Sequence, residues 1–291
     1  MNLKLRERTI ELREPVLMGI VNATPDSFSD RQGDKGVVEL AELALEQLEA
    51  GAALIDVGGE SGRTDTEAVP VAEEIARVLP LVGRLADAGV AVSVDTWRAP
   101  VARAALDAGA AMINDPSGLS DPELADVCAA TGAALVITHT RLPPKAKGFP
   151  HYADVVDDVL AILRDRAEEA RSRGVPFEQL VFDPGIDLAK TPAESVEVLR
   201  RLSELLELGC PLLVSVSRKD FVGALTGRTP AGRRAGTLAA LGAAADGGAT
   251  ILRVHDVADA RDYLAVRAAL TGAVAVGEEL RLDPALRREA V

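Results

Sequence analysis

The chain is short of cysteine, histidine and positive charge, and each shortage excludes something. Among 291 residues the cysteines are Cys128 and Cys210 alone, which gives no basis for a disulfide scaffold and predicts two buried free thiols. The histidines are His139, His151 and His255. That is a thin supply for a metal hydrolase, and no His-x-His follows the first strand-like run. His151, in a Pro-His-Tyr loop, reads as a surface residue. The formal net charge of −13 argues against nucleic acid or anionic membrane as a main partner. A phosphorylated substrate stays compatible, because a local basic cluster outweighs a global balance. Long hydrophobic runs are missing as well. The opening MNLKLRERTIELREP has no apolar h-region, and nothing reaches the roughly 18 apolar residues of a membrane span. No Gly-x-Gly-x-x-Gly follows the first strand and no Walker P-loop occurs, which weakens an open nucleotide-binding sheet. The expectation is a soluble cytoplasmic protein with a single domain over 1–291 and a core over about 16–271.

What is present is a repeating alternation. Short runs rich in Val, Ile and Leu occur at Val16–Val21, Leu54–Val57, Ala91–Val94, Ala111–Ile113, Ala134–Thr138, Leu180–Phe182, Leu212–Val216 and Thr250–Val254. Each is followed by polar or Gly residues and then by a segment of helical period. From Tyr152 to Arg173, Val155, Val156, Val159, Leu160, Ile162, Leu163 and Ala167 make an apolar stripe, with acids at its start and Gly174 just past its end. Eight such units predict an α/β fold of the (β/α)8 TIM barrel type. The alternating segment Leu3–Arg13 is expected as a short N-terminal hairpin plugging the barrel's bottom. The small-residue stretch Ala235–Gly248 permits close helix packing, within the barrel or across a dimer.

In a barrel the strand tips share one mouth. Those tips read Asn22; Asp56 with Glu60 and Arg63 beyond it; Asp95; Asn114 and Asp115; His139; Asp183; Ser217 with Arg218 and Lys219; and Arg253 with His255. Helix capping accounts for Asp115, Asp121 and Ser195. It does not account for Arg-Val-His, whose Arg253 and His255 share a strand face, nor for Lys219 beside Arg218. Asp95, Asn114 and Asp183 suit a flat heterocycle with adjacent donors and acceptors, such as a pterin. Lys219, Arg253, His255 and the Asn22 loop suit a pyrophosphate and its Mg2+. Trp97 is expected as packing for the following helix.

The strings MGIVNATPDSFSD, IDVGGES with Arg63, SVDTWRA, INDPSG, DPG, SVSRK and LRVHDVA resemble the dihydropteroate synthase family from about Val16 to Leu270. The resemblance implies a transferase that joins 6-hydroxymethyl-7,8-dihydropterin pyrophosphate to 4-aminobenzoate, an arylamine, and releases pyrophosphate. It implies that Asp95, Asn114, Asp183 and Lys219 hold the pterin, and that Asn22, Arg253 and His255 hold Mg2+ and pyrophosphate, with Asn22 as the metal ligand. It places Phe28 and Arg63 on mobile loops that close over the reaction, in an SN1-like mechanism. A homodimer is implied the same way.

The chain departs from the family pattern at Gly62, Thr64, Asp187, Leu188 and Asp220, on the side that meets the second substrate. An acid where a carboxylate docks repels it. This predicts a diverged relative with another nucleophile, or a catalytically silent pterin binder, as the alternative to an ordinary synthase. If Asp220 instead points away and opens a helix, activity survives. A methyltetrahydrofolate:corrinoid methyltransferase is a further rival, but it has no use for the Lys219, Arg253 and His255 cluster.

Overall fold

The computed structural model describes residues 1–23, 34–60 and 67–287. A two-stranded antiparallel hairpin comes first, β1 (Asn2–Leu5) and β2 (Arg8–Glu11). The barrel strands follow: β3 (Val16–Asn22), β4 (Ala52–Gly58), β5 (Val92–Asp95), β6 (Met112–Asp115), β7 (Ala134–Thr138), β8 (Leu180–Asp183), β9 (Leu213–Ser215) and β10 (Ile251–Val254). All eight run parallel in the order β8-β7-β6-β5-β4-β3-β10-β9. A parallel bridge from Phe182 to Leu212 joins the two ends, with the Phe182 amide donating to the Pro211 carbonyl at 2.9 Å. The result is a nearly closed (β/α)8 barrel.

Helices alternate with the strands as α1 (Asp34–Glu49), α2 (Val71–Asp87), α3 (Ala99–Asp107), α4 (Glu123–Thr131), α5 (Val155–Ser172), α6 (Pro192–Arg200), α8 (Arg234–Asp246) and α9 (Val257–Leu270). A further short helix, α7 (Asp220–Thr226), stands between β9 and α8 and was not among the eight expected. Local signals explain several boundaries. Asp154 caps α5 by accepting from the Val156 and Asp157 amides. Thr191 and Glu194 form a capping box with Pro192 at the first turn of α6. The small residues of α8 admit a close neighbour: a Cβ on Gly242 would stand 1.9 Å from the Tyr263 hydroxyl of α9.

Two cores result from strand alternation. Outward-facing residues such as Val57, Val94, Ile113 and Ile137 pack under the helices in one large cluster. Inward-facing Met18, Leu54, Met112, Val136, Val181, Leu213 and Ile251 form a second cluster with Leu3, Leu5 and Leu12 of the hairpin. The hairpin therefore plugs the bottom, as its alternation predicts. Leu3 and Leu5 are fully buried there. Cys128 and Cys210 are buried free thiols, and His151 is exposed.

Truncating the plug tests it. Leu3→Ala is expected to destabilise the protein by about 2–5 kcal/mol in urea unfolding, through lost burial plus an unfilled cavity. Turnover per folded molecule should stay at the parental value, because the floor lies at the opposite end from the strand tips.

Candidate active site

One step up from the apolar floor, the same inward-facing rows change chemistry. Two residues beyond Leu54, Met112, Val181 and Ile251 stand Asp56, Asn114, Asp183 and Arg253. The period of two sends these polar side chains into the barrel just above the apolar layer. Arg253 donates from Nε to Asp56 at 2.6 Å and from its terminal nitrogen to Asp95 at 3.0 Å. Asn114 donates to the same Asp56 oxygen at 3.0 Å. Asp56 is fully buried, and its other carboxylate oxygen has no partner among the described residues.

Burial dominates the electrostatics of the mouth. It raises the Asp95 carboxyl to about 7, against the pull of Arg253, and the Asp56 charge adds to the rise. It raises Asp183 as well, opposed by the Gly185 amide, which donates to its Oδ1 at 2.7 Å, and by Lys219. Lys219 precedes α7 and its charge acts on both carboxylates. His255 accepts at Nδ1 from the Ser217 hydroxyl at 2.9 Å, while the Ser217 oxygen accepts the His255 amide at 3.2 Å. Burial and the nearby Arg218 and Arg253 lower its ring to about 4. At neutral pH the ring is uncharged. Asn22 is exposed at the β3 tip, opposite Gly58; a Cβ there would stand 3.5 Å from the Asn22 amide oxygen. Phe28 and Arg63, with Gly62 and Thr64, lie outside the described residues.

A cavity of about 420 Å3 adjoins this set, between Lys219, Leu188 and the segment 142–149. Trp97 lines it, with the Arg98 guanidinium 4.5 Å over its ring, so it is a pocket wall and not only helix packing. The two acids expected to repel a carboxylate there are both engaged. Asp220 opens α7 with its side chain 90% exposed and ion-paired to Arg233 at 2.8 Å. Asp187 accepts from the Ser195 hydroxyl at 3.1 Å and the Phe221 amide at 3.2 Å. Both also line the cavity, each with its carboxylate paired or hydrogen-bonded within the protein.

Three features were not legible in sequence. Asp56 gave a signal, an acid inside the apolar run Ile55-Asp56-Val57, but its partnership with Arg253 spans most of the chain. Glu60, Glu74 and Arg98 form a buried ion cluster joined by Lys145, whose ammonium lies 3.1 Å from Glu60. Lys190 is 2% exposed and contacts the buried His139, with no periodicity to flag it. His139 spends its other ring nitrogen on Asp158 at 2.9 Å, which takes it out of any metal site shared with His255.

Removing the central cation should be costly. Arg253→Met leaves the fully buried Asp56 and the half-buried Asp95 without their counter-charge, and a loss of about 3–5 kcal/mol in denaturant unfolding is expected at pH 8. Asp95 has its folded pKa raised, so it destabilises the fold as pH climbs from the ordinary carboxylate range through about 7. The variant's deficit should therefore shrink toward acid as Asp95 takes up its proton.

The comparisons with known proteins agree with this geometry. A family model described as pterin binding enzyme matches residues 18–255. The dihydropteroate synthase of Mycobacterium leprae is 39% identical over 276 residues, covering 92% of this chain and 97% of that protein. A probable bifunctional folylpolyglutamate synthase/dihydropteroate synthase of Haloferax volcanii is 43% identical over 242 residues, 83% of this chain; the match spans 29% of that longer protein. Among solved structures, the Xanthomonas albilineans dihydropteroate synthase with 4-aminobenzoic acid superposes at a TM-score of 0.87 with 42% identity, covering 95% of this chain and all of that one. The same enzyme in complex with 7,8-dihydropteroate superposes at 0.84 with 41% identity. The barrel, the polar layer at its mouth and these likenesses lead to one conclusion: the chain belongs to the dihydropteroate synthase family of pterin-binding enzymes.

Proposed function

We propose that this transferase joins 6-hydroxymethyl-7,8-dihydropterin pyrophosphate to 4-aminobenzoate and releases pyrophosphate. One observation carries the reading. Lys219 acts on the half-buried Asp95 and the buried Asp183 and also lines the cavity beside them. One cation thus joins a heterocycle site to a second-substrate site. Similar solved enzymes hold 4-aminobenzoate or dihydropteroate. Relatives that match most of the chain are dihydropteroate synthases, which supports the ordinary synthase over a diverged paralogue.

In this reading Asp95, Asn114, Asp183 and Lys219 bind the pterin through its ring donors and acceptors. Arg253 and His255 serve the pyrophosphate, His255 as an uncharged donor and Arg253 while it balances Asp56 and Asp95. The residues present fit Mg2+. Asn22 offers one open neutral oxygen, and no group of three His, Cys, Asp or Glu side chains gathers as a cage among the described residues. Mg2+ takes few protein ligands when substrate phosphates and water complete its shell. Bound there, it would neutralise charge on the leaving group.

The chemistry then divides between the two halves of the mouth. The C–O bond of the pterin methylene breaks and its electron pair leaves with pyrophosphate. Ionised Asp95 stabilises the resulting cation by charge held in place before the bond breaks. The arylamine nitrogen attacks from the adjoining cavity, forms the C–N bond and loses a proton. Phe28 and Arg63 are assigned to closing the site against water.

We also propose a cytoplasmic homodimer. None of the described helices is long and apolar enough to cross a membrane. Leu225 of α7 and Val266 and Leu270 of α9 are 69%, 60% and 83% exposed, on the helices that contact small-residue α8. Sedimentation equilibrium should give twice the chain mass for the parent and the single mass for Leu270→Glu; a monomeric parent rejects the dimer.

The reaction itself is tested with the dihydropterin pyrophosphate, Mg2+ and 4-aminobenzoate, reading pyrophosphate release and product mass. Aminobenzoate-dependent release with the dihydropteroate mass is expected; release or binding without that product contradicts the synthase. Because Asp95 must be ionised, kcat/KM should rise with pH to a plateau above an inflection near 7. Asp95→Asn should lower the plateau by about 100-fold or more and abolish that inflection.

A further inference from the structure

Lys190 is a buried lysine that the mechanism leaves without a role; burial lowers its ammonium to about 7, and Asp183 and Asp158 oppose the drop. It is 2% exposed, and its ammonium has three protons to place. Its nitrogen lies 2.9 Å from the Gly185 carbonyl, 3.2 Å from the Leu188 carbonyl and 2.7 Å from His139 Nδ1, with the His139 carbonyl at 3.4 Å. The three shorter contacts consume the three protons. They also assign the histidine tautomer: Nδ1 accepts from Lys190, so Nε2 carries the hydrogen and donates to Asp158 at 2.9 Å. Arg141 anchors Asp158 in turn. A continuous chain therefore runs from α5 through His139 to the loop after β8.

That loop holds an unfavourable backbone. Asp187 and Ala189 have φ of 63° and 53°, in the left-handed region that non-glycine residues avoid. Such residues persist where surrounding contacts over-determine them. Gly185, at φ 69°, has no room for a side chain, since a Cβ would meet the His139 carbonyl oxygen at 2.0 Å. The same turn aims the Gly185 amide at Asp183 Oδ1, 2.7 Å away, while the His139 amide takes the Asp183 carbonyl at 2.8 Å. Lys190 thus grips two carbonyls, those of Gly185 and Leu188, in the loop whose amide orients the Asp183 carboxylate. Tyr152 adds one bond from outside, its hydroxyl donating to the Ala189 carbonyl at 2.9 Å.

We propose that Lys190 is a positioning residue for pterin binding, acting through the 184–190 loop on the orientation of Asp183. The proposal rests on the assignment of Asp183 to the pterin in the reading above. A hydrogen bond to a charged group is typically equivalent to about tenfold or more in a binding constant. Losing the ammonium should therefore appear as a selective loss of pterin affinity.

The test measures the dissociation constant for the dihydropterin pyrophosphate, the KM for 4-aminobenzoate and the thermal midpoint in parallel. Lys190→Met keeps length and burial without the donors. It is expected to raise the pterin dissociation constant about tenfold, a larger change than in the aminobenzoate KM, which moves only through Leu188 and Lys190 at the wall of the adjoining cavity. Leu3→Ala, chosen for a comparable loss of thermal midpoint at the opposite end of the barrel, should leave both constants at the parental values. Should Lys190→Met fail to fold, Tyr152→Phe loosens the same loop by one bond and is expected to raise the pterin constant about threefold. Parental pterin affinity in Lys190→Met, or in Tyr152→Phe where that variant stands in, overturns the proposal. So does an equal affinity loss in Leu3→Ala. A parent that binds the pterin but makes no dihydropteroate refutes the synthase reading and leaves this test standing. A parent that binds no pterin refutes both.

Discussion

Arg253 has to balance two carboxylates at once, Asp56 fully buried and Asp95 half-buried. Asp56 and Asp95 arrive from adjacent strands β4 and β5, and Arg253 from β10, which lies on the far side of β3. None of the three tolerates the interior alone, since an unpaired buried charge costs several kcal/mol and tends to neutralise. The neutral amide of Asn114 shares the Asp56 oxygen and completes the set. These bonds cross the mouth, so the polar layer depends on the barrel being closed behind it. Closure rests on the bridge from Phe182 to Leu212 and on the plug of Leu3 and Leu5 that fills the lumen below.

The layer has a chemical consequence. A carboxyl raised to about 7 by burial takes up or releases its proton near neutrality, and a neighbouring cation shifts the balance. Asp95 is therefore held poised, not simply charged. A developing positive centre beside it would draw it toward the ionised form. His255 is tuned the other way. Burial strips its charge and leaves a neutral hydrogen-bonding ring at the edge of the cationic region. The mouth sets Lys219 and Arg253 among the carboxylates of Asp56, Asp95 and Asp183, in a chain that as a whole carries −13.

Backbone strain marks the same rim. Arg218, at φ 58°, immediately precedes Lys219, and Asp187 and Ala189 are left-handed in the loop after β8. Each is tied down from the side. Arg218 bonds Asp256 from its guanidinium and Thr237 from its amide, and Asp187 bonds Ser195 and the first turn of α7. Rigid anchoring of strained loops over a packed barrel is how a site keeps geometry that local preference opposes.

The sequence by itself determined the alternation of strand and helix, the floor hairpin, the polar strand tips and the family. These depend on periods of two and 3.6 and on short contiguous strings, which are local properties. It also carried Asp95, Asn114, Asp183 and Lys219 as a set, because a barrel sends every strand tip to one mouth. Only the tertiary structure decided who meets whom. The pairing of Arg253 with Asp56, the neutrality of His255, the ion pair of Asp220 with Arg233 and the burial of Lys190 against His139 are contacts between segments apart in the chain. Nothing local encodes them, and burial, which sets the charge state of each group, exists only after the chain has closed around it.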